Sequence, residues 1–215
     1  MGAILKTIAF VNSKGGTGKS TLAAAVGVAA EASGEKVFMI DLDPQGSLSA
    51  WGERRKADTP AVDRIAPDRL PAAIAGLAAG GYTLAIIDTP GLDTPATAAA
   101  MRAADLSLIP ARASTLDLEA TRPTLAALAR LNRAYAFVLN SCPAGRSGRI
   151  ADASRALSLL GVLAPVMVQR MEHVDAVGLG LGVTEIGGKA ADETNALWIW
   201  IKQRISINEQ TQAVA

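Results

Sequence analysis

The sequence predicts a three-layer α/β sandwich, a mainly parallel twisted sheet flanked by helices on both faces. Short β-branched or apolar runs alternate with longer Ala-rich helical patterns along the 215 residues, the order that builds parallel strands joined by crossover helices. Half of the residues are apolar but only 4% are aromatic. The core must therefore be Ala, Val, Leu and Ile, which suits strands buried on both faces. Each chemically suggestive motif also follows a predicted strand, at the carboxyl end where open parallel sheets bind ligands.

The predicted strands are 4–11, 37–42, 82–88, 106–110, 134–140 and 164–168, chosen for apolar and β-branched content between turn residues. The predicted helices are 19–32 (ended by Gly34), 48–56, 71–79, 95–104, 116–131, 147–160 and 192–205. Residues 58–71 and 178–188 read as loops. No linker or repeat divides the chain, so residues 1–207 are expected to form one domain, with a polar, frayed tail at 208–215.

Composition narrows the function classes. The formal net charge is +1, so no global basic field points to nucleic acid and any such surface must be a local patch. A single cysteine, Cys142, excludes an internal disulfide and fits a reducing compartment. No apolar run reaches the ~20 residues of a transmembrane helix, and no signal-peptide pattern precedes the first strand. A soluble, cytoplasmic protein is the expectation.

The first strand runs into Asn12-Ser-Lys-Gly-Gly-Thr-Gly-Lys-Ser-Thr21 and then a helix. This strand–loop–helix context is that of a phosphate-binding P-loop. Gly15, Gly16, Thr17 and Gly18 let backbone N–H groups turn toward phosphate oxygens, and the following helix presents its positive end. Lys19 would reach the β- and γ-phosphates, Ser20 would join a Mg²⁺ shell, and Thr21 is a further phosphate contact. Ser13 occupies the place where the common P-loop has its first glycine, and a second lysine, Lys14, follows it.

Two strand ends supply carboxylates. Asp41-Leu-Asp-Pro-Gln-Gly closes the second strand, and alternation puts Asp41 and Asp43 on one side. Such a pair suits Mg²⁺ coordination and positioning of an attacking water. Asp88-Thr-Pro-Gly closes the third, where an Asp holds Mg²⁺ through water and Gly91 acts as a hinge for a γ-phosphate sensor.

These three motifs resemble the deviant Walker A, Walker A′ and Walker B motifs of the ParA/MinD ATPases. Pro110-Ala-Arg-Ala-Ser-Thr-Leu-Asp117 is similar to a proline-containing segment of small ParA (ParF-like) proteins. The resemblance covers nearly the whole chain and implies a P-loop NTPase that binds ATP and Mg²⁺. It implies an ATP-dependent homodimer in which Lys14 reaches the partner's phosphates. It assigns the hydrolytic water to Asp43, with Asp41 supporting the Mg²⁺ region beside Ser20 and Asp88. Asn140, Gln169, Arg170 and Met171 correspond to base-pocket positions, and Gly182-Val-Thr-Glu185 to a segment near the dimer interface. The family function so implied is non-specific DNA binding by the dimer and release by a ParB- or ParG-type adaptor, which moves plasmids or chromosomes over the nucleoid. A MinD-like membrane regulator and a positioning ATPase for carboxysomes or chemoreceptor clusters are the alternatives.

Arg170, Lys202 and Arg204 are the expected DNA contacts, and Arg146, Arg149 and Arg155 form a second basic group. His173 lacks metal-ligand companions and reads as structural. Cys142 reads as a small buried residue, and one cysteine cannot supply an iron–sulfur cluster bridged between subunits. The last helix carries Leu197, Trp198, Trp200, Ile201 and Ile205 with few cations, so docking onto the sheet is expected rather than a membrane surface.

Overall fold

The computed structural model describes residues 4–145 and 147–212, with side chains as far as Ser206. Arg146 of the second basic group lies outside the described residues. In chain order the elements are β1 (Lys6–Phe10), α1 (Lys19–Ala32), β2 (Val37–Asp41), α2 (Ser47–Arg54) and β3 (Ala61–Arg64). A 3-10 turn (Pro67–Arg69), α3 (Leu70–Ala79), β4 (Leu84–Asp88), α4 (Pro95–Ala103), β5 (Leu106–Ala111), α5 (Thr115–Glu119) and α6 (Arg122–Arg130) follow. The chain closes with β6 (Tyr135–Leu139), α7 (Gly148–Ser158), β7 (Val162–Leu163), α8 (Met171–Gly178), α9 (Val183–Ile186) and α10 (Gly188–Gln212).

The strands form one sheet in the order β3-β2-β4-β1-β5-β6-β7, with every pairing parallel. The expected α/β sandwich is therefore present. Alternation along β1 shows why both faces are covered. Ile8 and Phe10 join Leu22 and Val26 of α1 and Leu197, Trp198 and Ile201 of α10 on one face. Ala9 and Val11 join Ala96 and Ala100 of α4, Leu128 of α6 and Leu157 of α7 on the other. The apolar side of α10 is thus docked, as its poverty in cations implied.

The chain winds one way from β1 toward β2 and the other way toward β5, which opens a crevice at the carboxyl end of β1. Register brings the motifs level there: Asp88 pairs with both Phe10 and Asp41.

Four expectations need correction. The predicted loop 58–71 contains β3, an edge strand whose Asp63 and Arg64 are exposed and which therefore lacks an apolar run. The helix expected over 116–131 is two, α5 and α6. Pro123 has no N–H to continue α5 and sits in the first turn of a new helix. The strand expected at 164–168 is displaced to Val162–Leu163, because Pro165 interrupts the ladder. Beyond it only Val168 forms a bridge, to Cys142. Finally, the short helix α9 falls within the loop expected over 178–188, and α8 occupies residues 171–178, which had no assigned element.

Candidate nucleotide site

A cleft of about 990 Å³ opens at the crevice, lined by the phosphate loop, the β2–α2 loop and the turn after β4. The loop rests on buried anchors. Asn12 donates its amide to the Pro110 carbonyl at 2.6 Å, and the Ser13 hydroxyl donates to Ala120 at 2.9 Å. Ser13 therefore ties the loop to the end of α5, a use for the residue that replaces glycine. Gly18 has φ 91°, and a Cβ there would overlap the Asn140 amide, so only glycine closes this turn. The Arg112 guanidinium donates to the Gly16 carbonyl at 2.7 Å from outside the cleft.

Lys19 opens α1 and is 6% exposed. Burial lowers its pKa, and the fields of Asp88 and Asp43 partly restore it. Its Nζ donates to the Lys14 carbonyl at 3.3 Å, a weak contact that a phosphate oxygen would replace. Gly15, Gly16, Gly18, Ser20 and Thr21 line the cleft with it, whereas Thr17 is buried behind the loop.

Asp88 is 0% exposed, and neither carboxylate oxygen has a hydrogen-bond partner of good geometry. Burial pushes its pKa up to about 7, with the neighbouring Ser20 hydroxyl pulling it partly back. An unsatisfied buried carboxylate beside a hydroxyl and a lysine fits a hydrated divalent cation, which would supply the missing partners. Ser20 and Asp88 are thus the residues that would hold Mg²⁺. Among the described residues no cluster of three or more His, Cys, Asp or Glu offers an all-protein metal site, as expected where nucleotide and water supply the other ligands.

Asp41, expected to support the metal region, is bonded to the β2–α2 segment in this structure. Its oxygens accept from the Asp43 N–H at 3.0 Å, the Ser49 N–H at 2.8 Å and the Ser49 hydroxyl at 2.9 Å. It fixes the β2–α2 loop and the first turn of α2, and lies outside the cleft lining. Asp43 does line the cleft, held by its own bond from the Gln45 N–H at 2.9 Å.

The four residues expected at the base lie outside the cleft lining in this structure. Asn140 donates Nδ2 to the Thr17 carbonyl at 2.8 Å and is 8% exposed, so it braces the phosphate loop from behind. Gln169, Arg170 and Met171 do not line the cleft. The Gln169 N–H is bonded to Cys142, Arg170 is paired with Glu193 at 2.5 Å, and Met171 is exposed. The wall away from the phosphate loop comes instead from Trp51, Pro67, Leu92, Pro95 and Val177. None of these carries a local motif, and only their assembly in the fold reveals them.

The DNA contacts expected of the last third are largely engaged. Arg170 has Glu193, Lys202 reaches Glu35 at 2.7 Å, and Arg204 lies over the Trp200 ring. Arg149 is exposed, and Arg155 pairs with Asp152 at 3.7 Å. His173 is half-buried on α8, with its pKa lowered by burial. Glu185 accepts from the Gly182 N–H at 2.7 Å and pairs with Arg55 at 2.9 Å, clamping α9 to α2. No helix among the described residues is long and apolar enough to cross a membrane.

A glycine-rich loop opening a helix beneath a parallel sheet, with a buried lysine and an unsatisfied Asp on the adjacent strand, defines a nucleotide-binding P-loop protein. The model of the CobQ/CobB/MinD/ParA nucleotide binding domain matches residues 8–186, and the chain belongs to that family. It is 34% identical over 196 residues to a maintenance of carboxysome distribution protein A of Gloeobacter kilaueensis, covering 89% of each chain. It is 31% identical over 157 residues to the chromosome partitioning protein ParA of Caulobacter vibrioides, covering 54% of this chain and 59% of that one. Among solved structures, the septum site-determining protein MinD of Pyrococcus horikoshii with Mg-ADP superposes with a TM-score of 0.78 at 20% identity, covering 95% and 99%.

Proposed function

We propose that the protein is a Mg²⁺-dependent ATPase that dimerises on ATP and positions a large cargo through cycles of non-specific DNA association. One observation carries this reading. The phosphate loop has two lysines with separate surroundings: Lys19 faces Asp88 inside the cleft, whereas Lys14 is outside the cleft lining and bonded to Asp117. Lys14 is thereby kept out of its own cleft, and on leaving Asp117 it serves the nucleotide of a second copy. Asp43, held at the cleft wall, positions the attacking water, and Ser20 and Asp88 hold Mg²⁺. The remaining requirement is an adaptor that completes the site and stimulates turnover.

The cargo of first choice is a protein assembly of the carboxysome kind. The Gloeobacter relative supports it, being similar at higher identity and over more of the chain than the Caulobacter partitioning protein. Segregation of a plasmid or chromosome, expected first from the motifs, becomes the second reading. A MinD-like membrane role draws no support from α10, whose Leu197, Trp198 and Ile201 are committed to the core. Co-sedimentation with duplex DNA in the presence of ATP, ADP or no nucleotide tests the cycle, with ATP turnover measured with and without Mg²⁺. Retention only with ATP is expected. Retention independent of nucleotide, or turnover without Mg²⁺, would sink the proposal.

A further inference from the structure

A second concavity, of about 310 Å³, lies at the other end of the sheet. Leu106, Tyr135 and Val162, the first residues of β5, β6 and β7, form one side. They are amino ends of parallel strands, so this site is remote from the phosphate loop, which follows a carboxyl end. Trp200 and Arg204 complete it, one turn apart on α10 and so on one face. The Arg204 guanidinium stacks 5.2 Å from the Trp200 ring centre. Arg133 enters from the connection between α6 and β6.

Its chemistry is one-sided. No carboxylate lines it, and neither Arg133 nor Arg204 has an ion pair among the described residues. The apolar surface continues outward through Val162, Leu160 and Leu159, which are 40%, 52% and 84% exposed. Unlike the other two tryptophans, which are buried, Trp200 is only partly covered.

We propose that this concavity is a docking site for an acidic segment of a partner protein. One apolar side chain of the segment sits against Trp200 and Tyr135, and flanking carboxylates meet Arg133 and Arg204. Charge complementarity selects the occupant: two guanidinium groups without an ion pair among the described residues, one of them stacked on Trp200, match carboxylates in planar, bidentate fashion. A nucleic-acid backbone fits less well. It needs a run of cations on an open surface, whereas the neighbouring Lys202 is already paired with Glu35 and the floor here is concave and aromatic. The site does not depend on the nucleotide chemistry proposed above.

The test uses the full chain and a series of short peptides with a central Leu or Phe flanked by Glu, Ser or Lys, read by tryptophan fluorescence and by anisotropy of the labelled peptide. Glu-flanked peptides are expected to bind best. Arg133→Glu with Arg204→Glu should weaken them about tenfold and improve binding of the Lys-flanked peptides, with ATP turnover unchanged. The milder Arg204→Gln reports the same trend if the double variant folds poorly. Four outcomes overturn the proposal: binding insensitive to flanking charge or absent across the series; loss of duplex DNA retention by the charge reversal; loss of binding to phosphatidylglycerol vesicles by it; or loss of self-association in sedimentation.

Discussion

Lys14 Nζ lies 3.0 Å from Oδ1 of Asp117, a pair in which the lysine side chain is 37% exposed and the carboxylate 9%. The Ser114 hydroxyl bonds the same carboxylate, and the ammonium and the Arg112 guanidinium add their fields, so Asp117 titrates below the usual carboxylate range. Only the lysine end of the pair reaches solvent, so water screens the attraction on that side. Ser114 and Arg112 remain beside Asp117 if Lys14 leaves, so departure does not strand a bare charge. The lysine is held aside at little cost to its release.

Asp117→Asn should therefore lower the ATP concentration at which dimers appear in light scattering. Lys14→Gln should abolish ATP-dependent dimers while a fluorescent ATP analogue still binds the monomer. Unchanged dimerisation in both variants would remove the in-trans role of Lys14.

Asp43 lines the cleft, and its side chain accepts a hydrogen bond from the Gln45 N–H. Asp43→Ala should leave ATP-driven dimers intact and reduce single-turnover hydrolysis by roughly 10²-fold or more, as expected for loss of a group that orients the nucleophile. Asp41→Ala should act differently. It removes one hydrogen bond that holds the β2–α2 loop and two that fix the first turn of α2, so thermal stability should fall along with activity.

Asn140 separates two roles that resemblance and structure assign differently. As a brace on the Thr17 carbonyl, its replacement by Ala should weaken ATP and GTP binding by the same factor, because the phosphate loop is common to both. As an adenine contact, it should weaken ATP selectively. Competition binding with the two nucleotides decides, and the geometry predicts equal loss.

Much of this site was legible locally, because a phosphate loop is built from backbone and a few adjacent side chains. The strand–loop–helix around Lys19, the boundaries of α1 and the closing Asp88 follow from glycine, lysine and β-branched residues next to one another in sequence. What was illegible depends on distant chain. Nothing around Asp41 announces that Ser49 consumes its oxygens, and nothing around Asn140 that Gly18 and Thr17 pass beside it. β3 was missed because an edge strand facing solvent has no need of the apolar alternation that marks a half-buried one. Pro123 marks the break between α5 and α6, inside a run of helix-forming residues that reads as one helix.

Gly91 comes closer to the phosphate loop than any side chain could. A Cβ there would stand 2.7 Å from Gly15 Cα and 2.8 Å from Gly15 N, both backbone atoms that cannot turn aside. Gly91→Ala should displace the loop at a cost of about 1–3 kcal/mol, weakening nucleotide binding about tenfold to a hundredfold. Gly76→Ala, where a Cβ meets open space within α3, is the control. It should leave binding unchanged and raise stability by about 0.4–1 kcal/mol.

The unsatisfied carboxylate of Asp88 predicts a pH dependence of definite sign. Its pKa rises on folding from 3.8 to about 7 because burial disfavours the charged form. Between those values the folded chain holds a proton that the unfolded chain has released, so stability falls as pH rises through this window and levels off above it. The melting temperature of the nucleotide-free protein should therefore decline between about pH 5 and pH 8, and the decline should be shallower in Asp88→Asn. A hydrated cation beside Asp88 favours the charged form, so saturating Mg²⁺ and ATP should flatten the wild-type profile as well. A wild-type profile that rises over this range, or one that Asp88→Asn leaves unaltered, would show that Asp88 is already ionised and partnered in the nucleotide-free protein.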